Sequence, residues 1–526
     1  MKSLILLISL LLVTVINTFA QDGAPDPTFG GGDGLVYHSI FEGKPSQGWS
    51  IDIQPDHKIL VAGSTLGPDG KGHAFVSRYN EDGSLDNSFN GSGILLPEVP
   101  GYNSYAGGIK MQPDGKIVMC TASYDSTSRF ITVMRFTEDG VPDNSFDGDG
   151  QSTAIIESEY MDISTMVLQS DGKILIGGYE GASLSDSFMV VRFLSTGGLD
   201  HSFAGDGVVV TGVGEDYTDV NSLTMQSDGK ILATGYATFN GNEDFAVVRY
   251  NSNGTLDNSF SGDGIAHVTI SDHDDRLYCS LVQPDSKIVV AGYAYNNLTG
   301  RESFAVARLN PDGTPDNTFH GDGIALIYIT DDFDHIFSMV RQPDGKLILA
   351  GEVHAGAHDY GFTMAIARIT ENGVLDHTFD GDGVYILPPS DTIESEIYAS
   401  VLQSDGKIIS TGNYRINPLN HVMLLRTQTG LTTAKEVDQS IHEVSLYPNP
   451  VTENVVLKYS LEKPENLHIT LCDPMGKTLD QLLQKVERSA GNHEEHLNLN
   501  SSLVPGCYYV KIETTAGVKA IPIVKK

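Results

Sequence analysis

The chain has 526 residues, of which 68 are acidic and 33 are basic, so its formal net charge is -35. A surface this acidic repels nucleic acid and anionic membranes, so neither is an expected partner. A hydrophobic content of 40% together with 56 glycines fits a folded protein rich in turns and excludes a disordered chain.

The first twenty residues have the pattern of a secretory signal peptide. Lys2 precedes an apolar run from Leu4 to Ile16, and the small residues Thr18 and Ala20 stand where a signal peptidase reads the chain. We therefore predict a signal peptide over residues 1–20. No later apolar run approaches the ~18 residues that a spanning helix needs, so no transmembrane segment is expected.

A nine-residue motif recurs seven times and sets the spacing of the chain. Its copy at residues 256–264 reads Leu-Asp-Asn-Ser-Phe-Ser-Gly-Asp-Gly. The phenylalanine of the motif falls at Phe29, Phe89, Phe146, Phe203, Phe260, Phe319 and Phe379, with intervals of 57 to 60 residues. A period in this range indicates a solenoid, a propeller or an array.

Each repeat reads as four short strands. In the fifth repeat, residues 278–282 and 288–292 flank a tight Gln-Pro-Asp-Ser-Lys turn, residues 304–309 form a third strand, and residues 324–329 follow the next motif as a fourth. No segment shows the 3.6-residue apolar period of a helix. The sequence therefore predicts an all-β propeller with one blade per repeat.

The order of the parts at the two ends predicts a closed ring. The first motif comes before any Gln-Pro-Asp turn, and the last repeat stops after its third strand at residues 423–426. A strand near residues 35–40 can therefore complete the last blade of a seven-bladed propeller. Closure of this kind leaves few free strand edges.

An arginine in the third strand and an aspartate in the motif recur together. In six repeats the aspartate follows the arginine by eight residues, as in Arg249 and Asp257. Arg426, at the end of the repeat region, has no such aspartate after it, and Asp26, at its start, has no such arginine before it. We predict a partly buried, bidentate salt bridge in every blade, with Arg426 and Asp26 locking the ring.

The repeats resemble the delta-60 repeat of bacterial secreted proteins. The resemblance rests on three motifs in fixed order, of the types Leu-Asp-x-Ser-Phe-x-Gly-Asp-Gly, Gln-Pro-Asp-Gly-Lys-Ile and Phe-Ala-Val-Val-Arg-Tyr, and covers about residues 25–428. The first copy has an extra glycine, and Ser92 replaces the usual aspartate. The family implies a β-propeller with no general biochemical activity attached to it.

The C-terminal region resembles the type IX secretion sorting domain of Bacteroidetes. The matching features are Tyr-Pro-Asn-Pro at 447–450, Asp-Pro-Met-Gly at 473–476, Leu-x-x-Gly-x-Tyr at 503–508 and the basic end at 525–526. Alternating apolar residues there predict a small β-sandwich. We assign residues 21–428 to the propeller, 429–442 to a linker and 443–526 to the sorting domain, which implies the type IX machinery as a partner and a secreted or surface-attached product.

The sequence carries no recognisable catalytic or cofactor motif. It contains no His-Glu-x-x-His metal pattern, nucleophile elbow or dinucleotide fingerprint. The Asp-Gly-Asp-Gly of the motif can ligate calcium, but its recurrence favours a role in turns. We therefore expect no enzyme activity and no cofactor. Cys120 and Cys279 are expected as buried thiols, and whether Cys472 pairs with Cys507 is left open.

Acidic residues recur between the fourth strand of one blade and the first strand of the next. The candidate ligand-binding residues are Asp162, Asp219, Asp274, Asp275, Asp332, Asp334 and Glu396. The corresponding parts of the first two blades carry Trp49, Tyr102 and Tyr105. These loops are either a solvated face or a site for a cation or a basic partner, with an aromatic sector suited to sugar rings.

Two functions follow from this reading. The first is a secreted, non-enzymatic binding or structural propeller, with a glycan or protein ligand. The second is an extracellular enzyme acting on a polysaccharide. An enzyme should show a compact cluster of acids or bases that do not belong to the repeat, converging at the mouth of the central channel.

Overall fold

The structure is a computed structural model that describes residues 22–182, 185–297, 299–355, 361–388, 393–416, 418–429, 441–447, 451–461, 463–472, 478–499, 503, 506–514 and 518–525. The predicted signal peptide lies outside these residues. The chain divides into two compact units, one of residues 1–403 and 407–430 and one of residues 404–406 and 431–526. Each is described separately below.

The first unit contains, within the described residues, seven four-stranded antiparallel sheets. The expected β-propeller is thereby confirmed. Blades 1 to 3 consist of β2 Ser46–Ile53, β3 Ile59–Leu66, β4 Gly72–Tyr79 and β5 Ile94–Leu95; β6 Asn103–Met111, β7 Ile117–Tyr124, β8 Arg129–Phe136 and β9 Gln151–Ile156; and β10 Tyr160–Leu168, β11 Ile174–Ala182, β12 Ser185–Phe193 and β13 Val208–Thr211.

The remaining blades repeat this order. Blades 4 to 6 consist of β14 Thr218–Met225, β15 Ile231–Phe239, β16 Asn242–Tyr250 and β17 Ile265–Val268; β18 Asp275–Val282, β19 Ile288–Asn296, β20 Arg301–Leu309 and β21 Ile324–Ile327; and β22 Asp334–Arg341, β23 Leu347–His354, β24 Phe362–Ile369 and β25 Val384–Ile386. Blade 7 combines β26 Ile393–Leu402, β27 Ile408–Ile416 and β28 Leu419–Thr427 with the N-terminal strand β1 Leu35–His38.

The middle two strands of each blade are almost continuously apolar because both of their faces are covered by neighbouring blades. β15 and β16, for example, contain the buried runs 231–235 and 244–250. A strand buried on both faces carries apolar residues without alternation. The motif phenylalanine fills the space between blades, and all seven copies are fully buried.

The ring closes through the N-terminal segment. β1 pairs antiparallel with β28, with Leu35 opposite Leu425 and His38 opposite Val422. The first strands contact one another in cyclic order, and β2 of blade 1 contacts β26 of blade 7. The central channel is therefore surrounded by the seven first strands.

Residues of the repeated motifs form a set of contacts, here called the staple, that joins each blade to the next. In blade 4, Arg249 donates from Nε to Oδ2 of Asp257 at 2.7 Å and from Nη1 to the carbonyl of Pro311 in blade 5. Lys230, from the Gln-x-x-Gly-Lys turn, lies 2.9 Å from the same Oδ2, and the guanidinium lies 4.5 Å from the ring centre of Phe260.

The bidentate geometry predicted for these pairs is wrong. Only Nε of Arg249 reaches the carboxylate, because Nη2 donates to the hydroxyl of Ser259 and Nη1 reaches the next blade. The same division of donors holds at Arg426, which bonds Asp26, Thr28 and the carbonyl of Glu81. Each arginine thus ties its own motif to the following blade.

The glycines and second aspartate of the motif form turns. Oδ1 of Asp263 accepts a hydrogen bond from the backbone N–H of Ile265 at 3.0 Å, which is an Asx-turn. Gly264 has φ +95°, and a Cβ there would lie 3.1 Å from the side chain of Leu256. Only glycine adopts this conformation without strain.

The second unit is a small sandwich of two sheets. One contains β29 Ile441–Tyr447, β30 Asn454–Leu461 and β33 Gly491–Asn498, and the other contains β31 Glu465–Cys472, β32 Thr478–Arg488, β34 Gly506–Glu513 and β35 Val518–Lys525. Leu457, Ile469 and Val510 are fully buried between them. Residues 448–450 and 473–476 of the predicted sorting motifs, and the side chain of Cys507, lie outside the described residues, so the pairing of Cys507 with Cys472 stays open.

Candidate functional site

Every first strand contains one extra residue, a β-bulge, at the same place. In blade 4 the register shifts between Val220 and Ser222, which leaves Asn221 without an opposite residue on β15. Two residues before each bulge lies what we call the mouth position, near the loops that connect successive blades. The mouth positions are Gln47, Tyr105, Asp162, Asp219, Arg276, His335 and Glu396. The ring thus gathers seven side chains of six residue types at one level of the channel.

The bulge residues themselves divide the channel into two halves. They are Trp49, Gly107, Ser164, Asn221, Tyr278, Phe337 and Tyr398. The four aromatic residues, here called the aromatic arc, belong to adjacent blades. Ring centres lie 4.6 Å apart for Trp49 and Tyr398, 5.7 Å for Tyr398 and Phe337, and 5.0 Å for Phe337 and Tyr278. Each arc residue is half-buried.

Two aspartates occupy adjacent mouth positions in the half of the channel where the bulge residues are small. Asp162 is hydrogen-bonded to the side chain of Tyr105, and burial raises the pKa of its carboxyl. Burial also raises the pKa of Asp219 to about 7, with a further contribution from the charge of Asp162. Oδ1 of Asp219 is buried and has no hydrogen-bond partner among the described residues. A carboxyl in this state binds a proton or a cationic group readily.

The next two mouth positions are cationic. Arg276 donates from Nε to Oε2 of Glu243. His335 contacts Glu302 through Nε2 at 2.6 Å and Glu352 through Nδ1 at 2.9 Å. Burial opposes the charged imidazole, but these two carboxylates prevail and raise the pKa of His335 to about 9.

Glu396 completes the cluster beside the aromatic arc. The hydroxyl of Tyr398 donates to Oε2 of Glu396. Burial, followed by the charge of Glu352, raises the pKa of Glu396 to about 7. The mouth therefore holds two carboxyls that exchange protons near neutral pH, which is the property required of a general acid or base.

The described residues contain no group of three or more histidine, cysteine, aspartate or glutamate side chains placed to hold a metal ion. The described side chains of the mouth can form hydrogen bonds, pair charges, stack on rings and transfer protons.

Two family profiles match the chain. A domain of unknown function (DUF5122) β-propeller matches residues 54–89, 112–146, 169–203, 226–260, 283–319 and 342–379. A secretion system C-terminal sorting domain matches residues 445–526. The chain carries DUF5122 β-propeller repeats and a secretion-system sorting tail. Each DUF5122 match begins at the glutamine of a turn and ends at a motif phenylalanine, so a seventh would run from Gln403 to Phe29 across the chain ends.

Solved structures similar to this chain are distant. A polysaccharide lyase, Uly1, is 9% identical, with 73% of this chain and 90% of the lyase covered and a TM-score of 0.37. A PL25 ulvan lyase is 9% identical, with coverages of 75% and 96% and a TM-score of 0.43. A subtype N10 neuraminidase-like protein of A/little yellow-shouldered bat/Guatemala/060/2010 is 8% identical, with coverages of 74% and 100% and a TM-score of 0.31. Likenesses of this strength carry no argument about this chain, and no curated protein matches its sequence.

The sorting tail determines where the DUF5122 propeller goes. A tail of this family directs export by type IX secretion to the cell surface or the extracellular space, and it implies contact with that machinery. Among the helices of the described residues, none has the length and apolar character to cross a membrane.

The structure separates the seven predicted ligand-binding residues into three groups. Asp162, Asp219 and Glu396 lie together at mouth positions. Asp275 and Asp334 do not, because each is buried one residue earlier and accepts three hydrogen bonds from the loop before its strand. Their placement in a ligand site was therefore wrong, since their oxygens hold the loop.

Asp274 and Asp332 lie in the loops and are engaged there. Oδ1 of Asp274 accepts the backbone N–H of Glu243 at 3.0 Å. Asp332 pairs with Arg301 and with His354, at 3.2 and 2.8 Å. Tyr102, predicted for the aromatic sector, is an exposed loop residue under Lys71, whereas Trp49 and Tyr105 lie on first strands at the mouth.

Sequence reasoning found Trp49 and Tyr105 but missed the other three aromatic residues of the arc and the two cations of the mouth. Arg276 and His335 directly follow the predicted Asp275 and Asp334, but both lie on first strands, whereas the prediction concerned the loops. Aligning the first strands on their shared pattern would have placed these two residues in register with Asp162 and Asp219. The bulge that defines this register has no sequence signature of its own.

Proposed function

We propose that this secreted or cell-surface propeller is a binding protein whose ligand site is the channel mouth, and that the ligand is a glycan. The observation that carries the proposal is the aromatic arc beside a ring of non-repeat polar side chains. Half-buried aromatic rings offer flat apolar faces to sugar rings, and the adjacent carboxyls and amides orient hydroxyl groups.

The charge of the mouth narrows the class of glycan. Arg276 and His335 already face Glu243, Glu302 and Glu352, so the two cations are balanced by the protein itself. Asp162, Asp219 and Glu396 remain as an excess of acid. A uronate or sulfate group would be repelled here, so a neutral or amine-bearing glycan is favoured over an anionic one.

The single tryptophan of the chain makes binding directly measurable. Because Trp49 belongs to the aromatic arc, a sugar stacked there should change the intrinsic fluorescence. We expect hits from a glycan array to shift this emission in the mature protein, and Tyr398→Ala to weaken binding about tenfold or more.

Tyr37→Ala provides a matched control, since Tyr37 is 47% exposed on β1, the outermost strand of blade 7, and its loss should leave affinity unchanged. Array hits that leave Trp49 emission unaltered, and that bind Tyr398→Ala as tightly as the unmodified protein, would refute a site at the mouth.

A second candidate is an enzyme that acts on a polysaccharide. It is favoured by one specific observation: acids and bases outside the repeat converge at the mouth, where the pKa values of Asp219 and Glu396 are raised to about 7. Such groups suit general acid–base catalysis. If the protein shortens a polysaccharide that it binds on the array, and Glu396→Gln abolishes the shortening but not the binding, the protein is an enzyme. If the polymer stays intact after prolonged incubation, only the binding function remains.

A further inference from the structure

Three consecutive blades present the same pair of side chains toward the following blade. The pair consists of a tyrosine on the second strand, opposite the mouth position, and an acid on the third strand, two residues before a buried phenylalanine. The pairs are Tyr179 and Asp186 in blade 3, Tyr236 and Glu243 in blade 4, and Tyr293 and Glu302 in blade 5. Their equivalence follows from strand register.

In two of the three blades this pair holds a cation supplied by the next blade. The guanidinium of Arg276 lies 5.0 Å from the ring centre of Tyr236 and receives charge pairing from Glu243. The imidazole of His335 lies 4.3 Å from the ring centre of Tyr293 and 2.6 Å from Glu302. An acid together with an aromatic face is an effective receptor for a cation.

The third pair faces a carboxyl instead. Blade 4 supplies Asp219 at the position that Arg276 and His335 occupy one and two blades further on. The charges of Asp162 and Asp186 both act on Asp219, and all three carboxyls act on Tyr179. Oδ1 of Asp219 is buried with no hydrogen-bond partner among the described residues.

Among the described residues, Arg276 is the cation whose charge acts on Asp219, and Arg276 is itself engaged by Glu243. The pair residues Tyr179 and Asp186 and the facing Asp219 are each half-buried, so a ligand group can reach them from the channel. The bulge residues on this side, Ser164 and Asn221, are smaller than the aromatic residues of the arc.

We propose that Tyr179, Asp186 and Asp219 form a subsite for an organic cation, taken up in the place that Arg276 and His335 fill in the neighbouring blades. The inference rests on the proposed glycan function and specifies its ligand as an amine-bearing glycan. The ligand's ammonium group lies against the Tyr179 ring and between carboxylates, while its sugar rings extend toward the aromatic arc.

The test compares two oligosaccharides with the same backbone. Chitosan hexamer carries free amines, and its fully N-acetylated counterpart carries neutral amides. Calorimetry of the mature protein at pH 6 should show the amine form binding at least tenfold more tightly. Binding should also release a proton, because the bound cation displaces the proton of Asp219. The release is measured as a dependence of the binding heat on the buffer. The other titratable or charged groups that face Asp219 are Asp162, Asp186, Tyr179 and Arg276.

The sharpest variant is Asp219→Arg, which recreates in blade 4 the arrangement of blades 5 and 6. It should fold, because the protein already builds that arrangement twice, and it should lose the preference for the amine form. Asp186→Asn should lose part of the preference. Asp263→Arg, which makes the same charge change in an exposed turn of the motif, is the control and should behave as the unmodified protein.

Equal binding of the two oligosaccharides, unaffected by Asp219→Arg, would overturn the cation subsite and leave the glycan function standing. Binding of a lysine oligopeptide without binding of chitosan would overturn it in favour of a protein ligand. Absence of any glycan that alters Trp49 emission would remove the proposed function and this inference together.

Discussion

Arg426 donates from Nε to Oδ2 of Asp26 across 2.7 Å, joining two residues that are 400 positions apart in the chain. Both side chains are buried, Asp26 completely. Lys407 and Gln428 contact the same carboxylate, and the Arg426 guanidinium lies over the ring of Phe29. The seventh blade is therefore held by the same staple as the others, although its parts come from the two ends of the propeller.

Removal of the closing carboxylate should weaken the whole ring. Asp26→Ala leaves the buried guanidinium of Arg426 without its counter-charge, which costs about 3–5 kcal/mol in comparable pairs. Thermal and urea unfolding of the mature protein should show a loss as large as that of Asp257→Ala, the equivalent change within blade 4. The exposed turn variant Asp263→Ala should change stability by less than about 1 kcal/mol. If Asp26→Ala lowers the free energy of unfolding much less than Asp257→Ala does, the stability of the ring does not depend on this closing pair.

The seven motif aspartates predict acid unfolding in a defined range. Burial opposes their ionisation, but hydrogen bonds from Ser88 and Ser202 and the charges of Arg78 and Arg192 prevail and lower the pKa of Asp86 and Asp200 to about 2. A carboxyl with a lowered pKa in the folded state stabilises fully above its unfolded pKa, about 4, and this contribution is lost as pH falls toward the folded value. Circular dichroism should show unfolding between about pH 4 and pH 2, and a propeller fully stable at pH 2 would contradict this account.

Asp219 should affect stability with the opposite sign. Its pKa is raised to about 7, so folding stability falls as pH rises from the unfolded pKa of the carboxyl to about 7 and changes no further above that value. Asp219→Asn should therefore stabilise the protein at pH 8 by roughly 1–3 kcal/mol, after allowance for solvent screening, and have little effect at pH 4. Urea denaturation at both pH values measures the difference, and equal effects at the two would show that the carboxyl is not perturbed.

Trp49 should report the ionisation of Glu396. Trp49 packs against Tyr398 in a tilted arrangement with ring centres 4.6 Å apart, and the hydroxyl of Tyr398 donates to Glu396. Because the pKa of Glu396 is raised to about 7, the emission of this single tryptophan should pass through one transition centred near that pH. Glu396→Gln should abolish the transition, whereas Glu371→Gln, in a turn after the third strand of blade 6, should retain it; persistence in Glu396→Gln would assign the transition to another group.

The repeat spacing and the phase of its parts were enough to predict four-stranded blades, the N-terminal strand that completes the last blade, and the partnership of Arg426 with Asp26. These features are readable because each strand and turn is specified locally and is then copied every 57 to 60 residues. The sorting tail was equally readable from its motifs.

The candidate site was decided only by tertiary structure. Asp162, Asp219, Arg276, His335 and Glu396 lie in different blades, and only a closed ring with a bulge at the same place in every first strand brings them to one level of the channel. The adjacent Asp275 and Asp334 look the same in sequence, yet a step of one residue along a strand turns their side chains into the loops. The sequence by itself determined the scaffold and its destination. The register of the strands determined which acids face the channel, because successive side chains along a strand point to opposite faces, and the sequence does not say which face of the blade each one takes.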